Sequence, residues 1–597
     1  VKIKKKIMSS LKTLMNMAAL DVSLVEKNID QCLEILEKEV SEIDDDDVAH
    51  LTTILNNSKS EKVFQIIAEL AKKEQKNRVQ LAKEDLMKML VVSLIDSELK
   101  DTYQILRSLC NICADNDIGS QMFSKVGGVS VMYEKASKVL HSDDWDFIMF
   151  PACMCIQNIV SDSDLIKEEF LKAGYFTLLK QLLHKYETNE KNFKVTVSGI
   201  SLLADSDLGI ELLGCSGILE DIWKIIKNCG DNFKKIIMVE LLNDLGKKEN
   251  AIELLCKSGG VLTLMELVES HGAFQETDST DDVFKEMVDL IVIMSGDESF
   301  ITLLENEDLL NKFANWIKSC NKHVQISAGL MLGNYARSED TCDCLIKMGI
   351  HVSLITEINQ NLEKEDYEDR FQAFASCLRN LCIPVGCKQL LVKAGLADTA
   401  VELVKKTGLS VQFKALAILR LLVQNQNDLA VKLCNDGELL KKIKLLSDVT
   451  MVSSTPAEAQ RLMAAIIKYA NQEAPIRAAL SYECIGSVNY LLSSDHMLMQ
   501  NEGLIALIMI VANVNNCVEL IKKAGSIERL MKIIKQDDVQ PQTLFNSLTL
   551  IQATASLNGG KDLLEEFEVY KVLDSLKNHS EQIINNKVNE TLTVISR

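Results

Sequence analysis

Cys110 and Cys113 have the spacing of a redox dithiol, and Cys342 with Cys344, or Cys382 with Cys387, suggests a metal clasp. Each pair sits in an apolar run or the turn beside one, without a second pair of ligands, so packing or an inert surface thiol is the expected role. The eight histidines fall singly, and His-Glu-x-x-His is absent. Gly-x-x-x-x-Gly-Lys-Ser/Thr, Gly-x-Gly-x-x-Gly and Gly-x-Ser-x-Gly are absent too, so no familiar phosphate cradle, dinucleotide turn or nucleophile elbow is encoded. A hydrolase or metal enzyme would need a clustered site that the sequence does not provide. No metal, cofactor or catalytic residue is expected.

What remains is recognition chemistry. Glu240, Asp244 and Glu249 are followed one repeat later by Glu286, Asp289, Asp297 and Glu298, on or just after helices expected to line a groove. Such an acidic patch would steer and orient a polybasic segment, each exposed pair contributing only about 0–1 kcal/mol. The competing reading is a generic solvated face, and Lys247 and Lys248 dilute the cluster. A second pattern is an asparagine at one register: Leu109-Cys-Asn-Ile-Cys113, Ile156-Gln-Asn-Ile-Val160, Leu241-Leu-Asn-Asp-Leu245, Leu332-Gly-Asn-Tyr-Ala336 and Leu378-Arg-Asn-Leu-Cys382. The amide either binds a partner's backbone or satisfies a carbonyl of the neighbouring repeat, and the pattern alone leaves both open.

The elements that must position these groups follow from glycine punctuation. Gly128, Gly174, Gly217, Gly260, Gly349, Gly395, Gly437, Gly486 and Gly525 are separated by 46, 43, 43, 89, 46, 42, 49 and 39 residues. The step of 89 spans two repeats whose middle marker has decayed near Asn306-Glu-Asp-Leu-Leu310. A period of about 43 residues belongs to armadillo or HEAT arrays, and the glycine turn before an amphipathic helix, as in Gly174-Tyr-Phe-Thr-Leu-Leu179, selects armadillo. The expected fold is all-α: an armadillo-repeat solenoid, a right-handed superhelix of about 12–13 three-helix repeats. One array is expected over 1–597, with 1–85 as less regular N-terminal capping repeats and 540–597 as the C-terminal cap. Glu39–Asp47 and Phe274–Asp282 read as solvated loops.

Composition agrees. Only 5 prolines among 597 residues favour long helices over an all-β build, and 47% hydrophobic residues can fill a large core. The net charge of −20 repels phosphate backbones and anionic headgroups, so nucleic acid and membrane insertion are disfavoured as partners. Seventeen cysteines, mostly in apolar runs, fit a reducing cytosol. The basic Val1–Ile7 is followed by no unbroken apolar region, so no secretion signal is expected, and Leu504–Val514, half a bilayer span, reads as a buried helix.

Several blocks are more specific than the general repeat: Trp316-Ile-Lys-Ser-Cys-Asn-Lys-His-Val-Gln-Ile-Ser-Ala-Gly-Leu330 leading to Asn334-Tyr-Ala-Arg337, then Leu378-Arg-Asn-Leu-Cys-Ile-Pro384, Val411-Gln-Phe-Lys414 with Leu419-Arg-Leu-Leu422, and Met499-Gln-Asn-Glu502. In order and spacing they resemble the small-G-protein GDP dissociation stimulators. That resemblance implies an armadillo solenoid that binds Rho- or Ras-type small GTPases with polybasic, often prenylated C-termini, as exchange factor and chaperone. It implies a GTPase-binding groove with Asn334, Arg337, Arg379, Asn380, Asn243, Gln500 and Asn501. An acidic patch of Glu240, Asp244, Glu249, Asp289, Asp297 and Glu298 would face the basic tail. A cytosolic monomer is expected. The rival is an armadillo scaffold that clamps an extended peptide without affecting nucleotide exchange. A nuclear-import receptor would need a Trp-x-x-x-Asn ladder, which Trp145, Trp223 and Trp316 do not supply.

Overall fold

A computed structural model describes residues 42–596 except 58, 144, 161–162, 187–188, 271–281, 306, 449–453 and 537. The expected loop at Phe274–Asp282 therefore lies outside the described residues up to 281, as do Glu39–Ser41 and the start of the N-terminal cap. All regular structure among the described residues is helical. The helix pair Asp45–Asn57 and Glu61–Lys73 precedes twelve successive triplets, from Gln75–Leu81, Glu84–Asp96 and Leu99–Cys113 to Gly560–Glu566, Val569–Ser575 and Gln582–Ser596. Each triplet has two shorter helices and then a third, commonly of 13–17 residues. This is the armadillo arrangement. Contacts cluster into two units, the first reaching Leu303 and the second beginning at Leu304.

Third helices form the core of each unit. In the first, Leu99–Cys113 packs against Glu61–Lys73 before it and Trp145–Val160 after it; in the second, Glu368–Leu381 packs between Lys322–Tyr335 and Leu409–Leu422. Lys322–Tyr335 and Leu409–Leu422 are weakly amphipathic, because a helix enclosed by neighbours on most sides needs apolar residues nearly all round. In Leu409–Leu422 the buried set is Val411, Ala415, Leu416, Ala417, Ile418, Leu419 and Leu422, with Gln412. The greasy 504–514 stretch belongs to Met497–Asn513, whose Leu504, Leu507 and Ile510 are fully buried. No helix among the described residues is long and apolar enough to cross a membrane.

The glycine ruler marks the junction of first and second helices, with two corrections. Gly174, Gly217, Gly349, Gly395 and Gly525 have φ between 69° and 96°, the left-handed region that lets the chain turn sharply. In the glycine pairs, however, the left-handed residue is the first: Gly127 and Gly259, not Gly128 and Gly260. The second glycine is required by packing, since a Cβ at Gly260 would lie 2.5 Å from the Trp223 ring and 2.7 Å from the Leu255 carbonyl oxygen. Gly437 and Gly486 do not supply the turn. There Asp436 caps the helix, accepting from the Leu439 amide at 3.0 Å, and Glu483 takes the positive φ of 59°.

Gly260→Ala is expected to destabilise the first unit by about 1–3 kcal/mol, because the ring or the backbone must shift to admit the methyl group. Urea unfolding followed by tryptophan fluorescence checks this; an unchanged midpoint would contradict the packing account.

Candidate functional site

The recurring asparagines sit on third helices, and most of their amides are already engaged. Asn111 Nδ2 donates to the Ala68 carbonyl, Asn158 Nδ2 to the Cys110 carbonyl and Asn380 Nδ2 to the Gly333 carbonyl, each at 2.9 Å and each across to the preceding third helix. Cys110 and Gly333 lie among the last four residues of their helices, whose carbonyls have no donor further along the same helix. The neighbour's amide supplies one. Asn243 departs from this pattern. Its Nδ2 donates forward, to the Glu286 carbonyl at 3.3 Å and the Glu286 carboxylate at 2.5 Å, while its Oδ1 is buried without a partner. Asn334 is half-buried near the end of Lys322–Tyr335. Of the two readings the sequence left open, the inter-repeat bond is the one made at Asn111, Asn158 and Asn380.

Gln500 and Asn501 separate in the same way. Gln500 is 4% exposed and its amide donates to the Ser494 carbonyl at 2.8 Å, closing the turn between second and third helices. Gln325 does the same to Ile317 at 2.9 Å, and Gln412 to Val404 at 3.1 Å. These glutamines belong to the sequence blocks noted above; the turns they close account for them without a partner. Asn501 donates to Thr543 Oγ1 and accepts from Asn546 Nδ2, both at 2.9 Å, linking two third helices.

The acids split into two groups. Glu240 and Asp244 are exposed, one turn apart, on the third helix Asn232–Gly246, and Asp289 is exposed on the next, Asp282–Met294. By contrast, Glu249, Asp297 and Glu298 sit at the starts of first helices, where a negative charge complements the helix dipole; Asp297 Oδ1 accepts from the Ser299 amide at 2.7 Å. Lys247 bonds Asp244 at 2.7 Å, and that carboxylate holds the lysine above its ordinary pKa. Lys248 turns elsewhere, bonding Asp205 at 2.5 Å and the Ala204 carbonyl at 3.2 Å.

Arg337 is exposed, in the turn after its third helix. Arg379 is half-buried; its Nη1 donates to Asn380 Oδ1 at 3.3 Å and its Nε is buried without a partner. It heads a ladder that the sequence reading missed. Arg379 and Arg420 stand at one register of successive third helices, and Arg461 and Glu502 follow at the same 41-residue spacing but nearer the starts of theirs. Glu458 lies between Arg420 and Arg461, bonded to both, and Arg461 grips Glu502 through Nε and Nη2 at 2.7 and 2.9 Å. Charged residues at repeat spacing inside otherwise apolar helices were the available signal.

No protein-family model matches the chain. It aligns over 539 residues with the Rap1 GTPase-GDP dissociation stimulators 1-B and 1-A of Xenopus laevis, at 24% identity, covering 89% of this chain and 88% of each relative. Both relatives are named as GTPase–GDP dissociation stimulators, the group whose sequence blocks this chain resembles. Similarity to a third relative, the GTPase-GDP dissociation stimulator vimar of Drosophila melanogaster, is 24% over 451 residues, covering 69% of this chain and 70% of that protein.

Most of the candidate thiols are packed in the core. Cys110, Cys113, Cys342, Cys382 and Cys387 are buried, and burial pushes the Cys342 thiol up to about 11 and Cys387 up to about 12. No group of three or more His, Cys, Asp or Glu residues able to hold a metal is found among the described residues.

Asn380→Ala is expected to cost about 1–2 kcal/mol, since the Gly333 carbonyl loses its donor. Urea unfolding should show a lower midpoint with an unchanged slope. A variant as stable as the parent would mean that the amide bond between third helices contributes nothing.

Proposed function

We propose that this chain binds a small GTPase and stimulates release of its GDP, acting as an exchange factor without catalytic groups of its own. The observation that carries the reading is a similarity running through nearly nine-tenths of both this chain and the two Xenopus stimulators. The mechanism requires only differential affinity. A protein that prefers the nucleotide-free or loosened GTPase lowers nucleotide affinity by the factor by which nucleotide lowers its own. The repeat faces would hold switch segments displaced from their magnesium and phosphate contacts.

Within this reading the preferred partners are Rho- or Ras-type GTPases with a polybasic, often prenylated C-terminus, and chaperoning of that form accompanies exchange. The chain acts as a cytosolic monomer. Arg337, Arg379, Asn334 and Asn501 are assigned to the GTPase, and Glu240, Asp244 and Asp289 to the basic tail. Supporting the tail assignment is the exposure of these three carboxylates on adjacent third helices; Lys247 moderates it by pairing with Asp244. The rival peptide-clamp reading draws on a ladder of available asparagine amides, and at Asn111, Asn158 and Asn380 the amide is spent between repeats.

The chain should accelerate release of fluorescent GDP from at least one member of a Rho and Ras panel tested with and without lipid and basic tail. Unchanged release across the whole panel would overturn the proposal. Reversing the charge of Glu240 and Asp244 together should weaken binding of the basic-tailed GTPase several-fold at low salt, the difference shrinking as salt is raised.

A further inference from the structure

The sequence contains one Asn-Gly pair, Asn558-Gly559, and one Asp-Gly pair, Asp436-Gly437. Both dipeptides can close a succinimide, because a following glycine has no side chain to hinder its own backbone nitrogen as that nitrogen approaches the side-chain carbonyl. The structure treats the two differently. Asp436 is held: its carboxylate accepts from the Leu439 amide at 3.0 Å and pairs with Lys405 at 3.1 Å, fixing the side chain as a helix cap. Asn558 is exposed in the turn between the third helix Pro541–Ala555 and the first helix Gly560–Glu566. Among the described residues its side-chain amide has no hydrogen-bond partner, and neither has the Gly559 N–H. Gly559 has a φ of 76°, and nothing lies within 4 Å of the place a Cβ would take there. Electrophile and nucleophile are adjacent, unshielded and uncommitted.

We propose that Asn558-Gly559 is a site of spontaneous deamidation, and that its isoaspartyl product loosens the last repeat. The Gly559 nitrogen gives up its proton and bonds to Asn558 Cγ; the Cγ–Nδ2 bond breaks and ammonia leaves, closing the succinimide. Water then opens the ring. Cleavage between the ring nitrogen and Cγ leaves an ordinary aspartyl link, whereas cleavage at the backbone carbonyl leaves Gly559 attached through Cγ, an isoaspartyl link with one extra backbone carbon. Water is consumed and ammonia released, and nothing is oxidised or reduced.

The turn has no room for that carbon. Leu557 N donates to the Thr554 carbonyl and Gly560 N to the Leu557 carbonyl, both at 3.0 Å, and a Cβ at Gly560 would lie 1.8 Å from the Thr554 carbonyl oxygen. Lengthening the link between Ala555 and Gly560 must break one of these contacts. Gly560–Glu566 and Gln582–Ser596 both pack against Pro541–Ala555, so the disturbance reaches the whole last triplet. The site stands independently of the GTPase reading.

The test stores the full chain in warm, mildly alkaline buffer beside its Asn558→Gln and Gly559→Ala variants, with circular dichroism checking that each is folded. Isoaspartate is read as methyl uptake from S-adenosylmethionine with a purified isoaspartyl methyltransferase, and located by peptide mapping. Uptake should rise with storage in the parent and map to position 558, with none at 436–437. Asn558→Gln should lose it, since the longer side chain closes a ring far more slowly, and Gly559→Ala should slow it. Under limited proteolysis the stored parent should release the last triplet faster than fresh parent, while stored Asn558→Gln keeps the fresh rate. No uptake in the stored parent, uptake undiminished in Asn558→Gln, or isoaspartate forming as fast at other exposed asparagines would overturn the site. Isoaspartate at 558 with proteolysis unchanged would overturn the loosening.

Discussion

The structure depends on how the third helices satisfy one another. Each is buried between two others, so its last carbonyls cannot turn to water, and a polar group without a partner there would cost about 1–3 kcal/mol. The asparagine at a fixed register removes that cost at Asn158 and Asn380 by donating to the helix before it, and Asn111 makes the same kind of link to the Ala68 carbonyl. Such a bond also sets register, because an amide reaches a carbonyl across the gap at only one offset between the helices. Farther along, Arg420, Glu458, Arg461 and Glu502 do the same with charge, and Asn501, Thr543 and Asn546 with neutral groups.

This economy determines what is left for a partner. The asparagine amides at Asn111, Asn158 and Asn380 are spent between repeats, and the proposed recognition draws on groups the stack does not consume. In the first unit these include the exposed Glu240, Asp289 and, partly offset by Lys247, Asp244. A regulator that works by preferring one state of its partner needs no more than such patches, since its effect comes from the difference between two affinities rather than from a reacting group.

Much of the fold was legible because periodicity reports burial. The glycine steps marked the junctions of first and second helices; the structure moved the left-handed residue within the pairs Gly127-Gly128 and Gly259-Gly260, and put Asp436 and Glu483 in place of Gly437 and Gly486 at two others. The candidate site was less legible. Glu249, Asp297 and Glu298 look like Asp244 in a list of acids, yet they begin helices whose dipoles already favour them. Gln500 stands next to Asn501 in sequence, but successive helical residues point about 100° apart, so one closes a turn while the other links helices.

By itself, the sequence determined the repeat, its helical content, the acidic balance and the resemblance to the dissociation stimulators, because each of these is written in spacing, composition or short motifs that survive without knowing any contact. Only the tertiary structure decided which polar side chains are spent. An asparagine, an arginine or a carboxylate reads the same in the chain whether its partner is a neighbouring repeat or another molecule. The difference lies in distances between residues some 40 positions apart, and those are fixed by how the third helices stack.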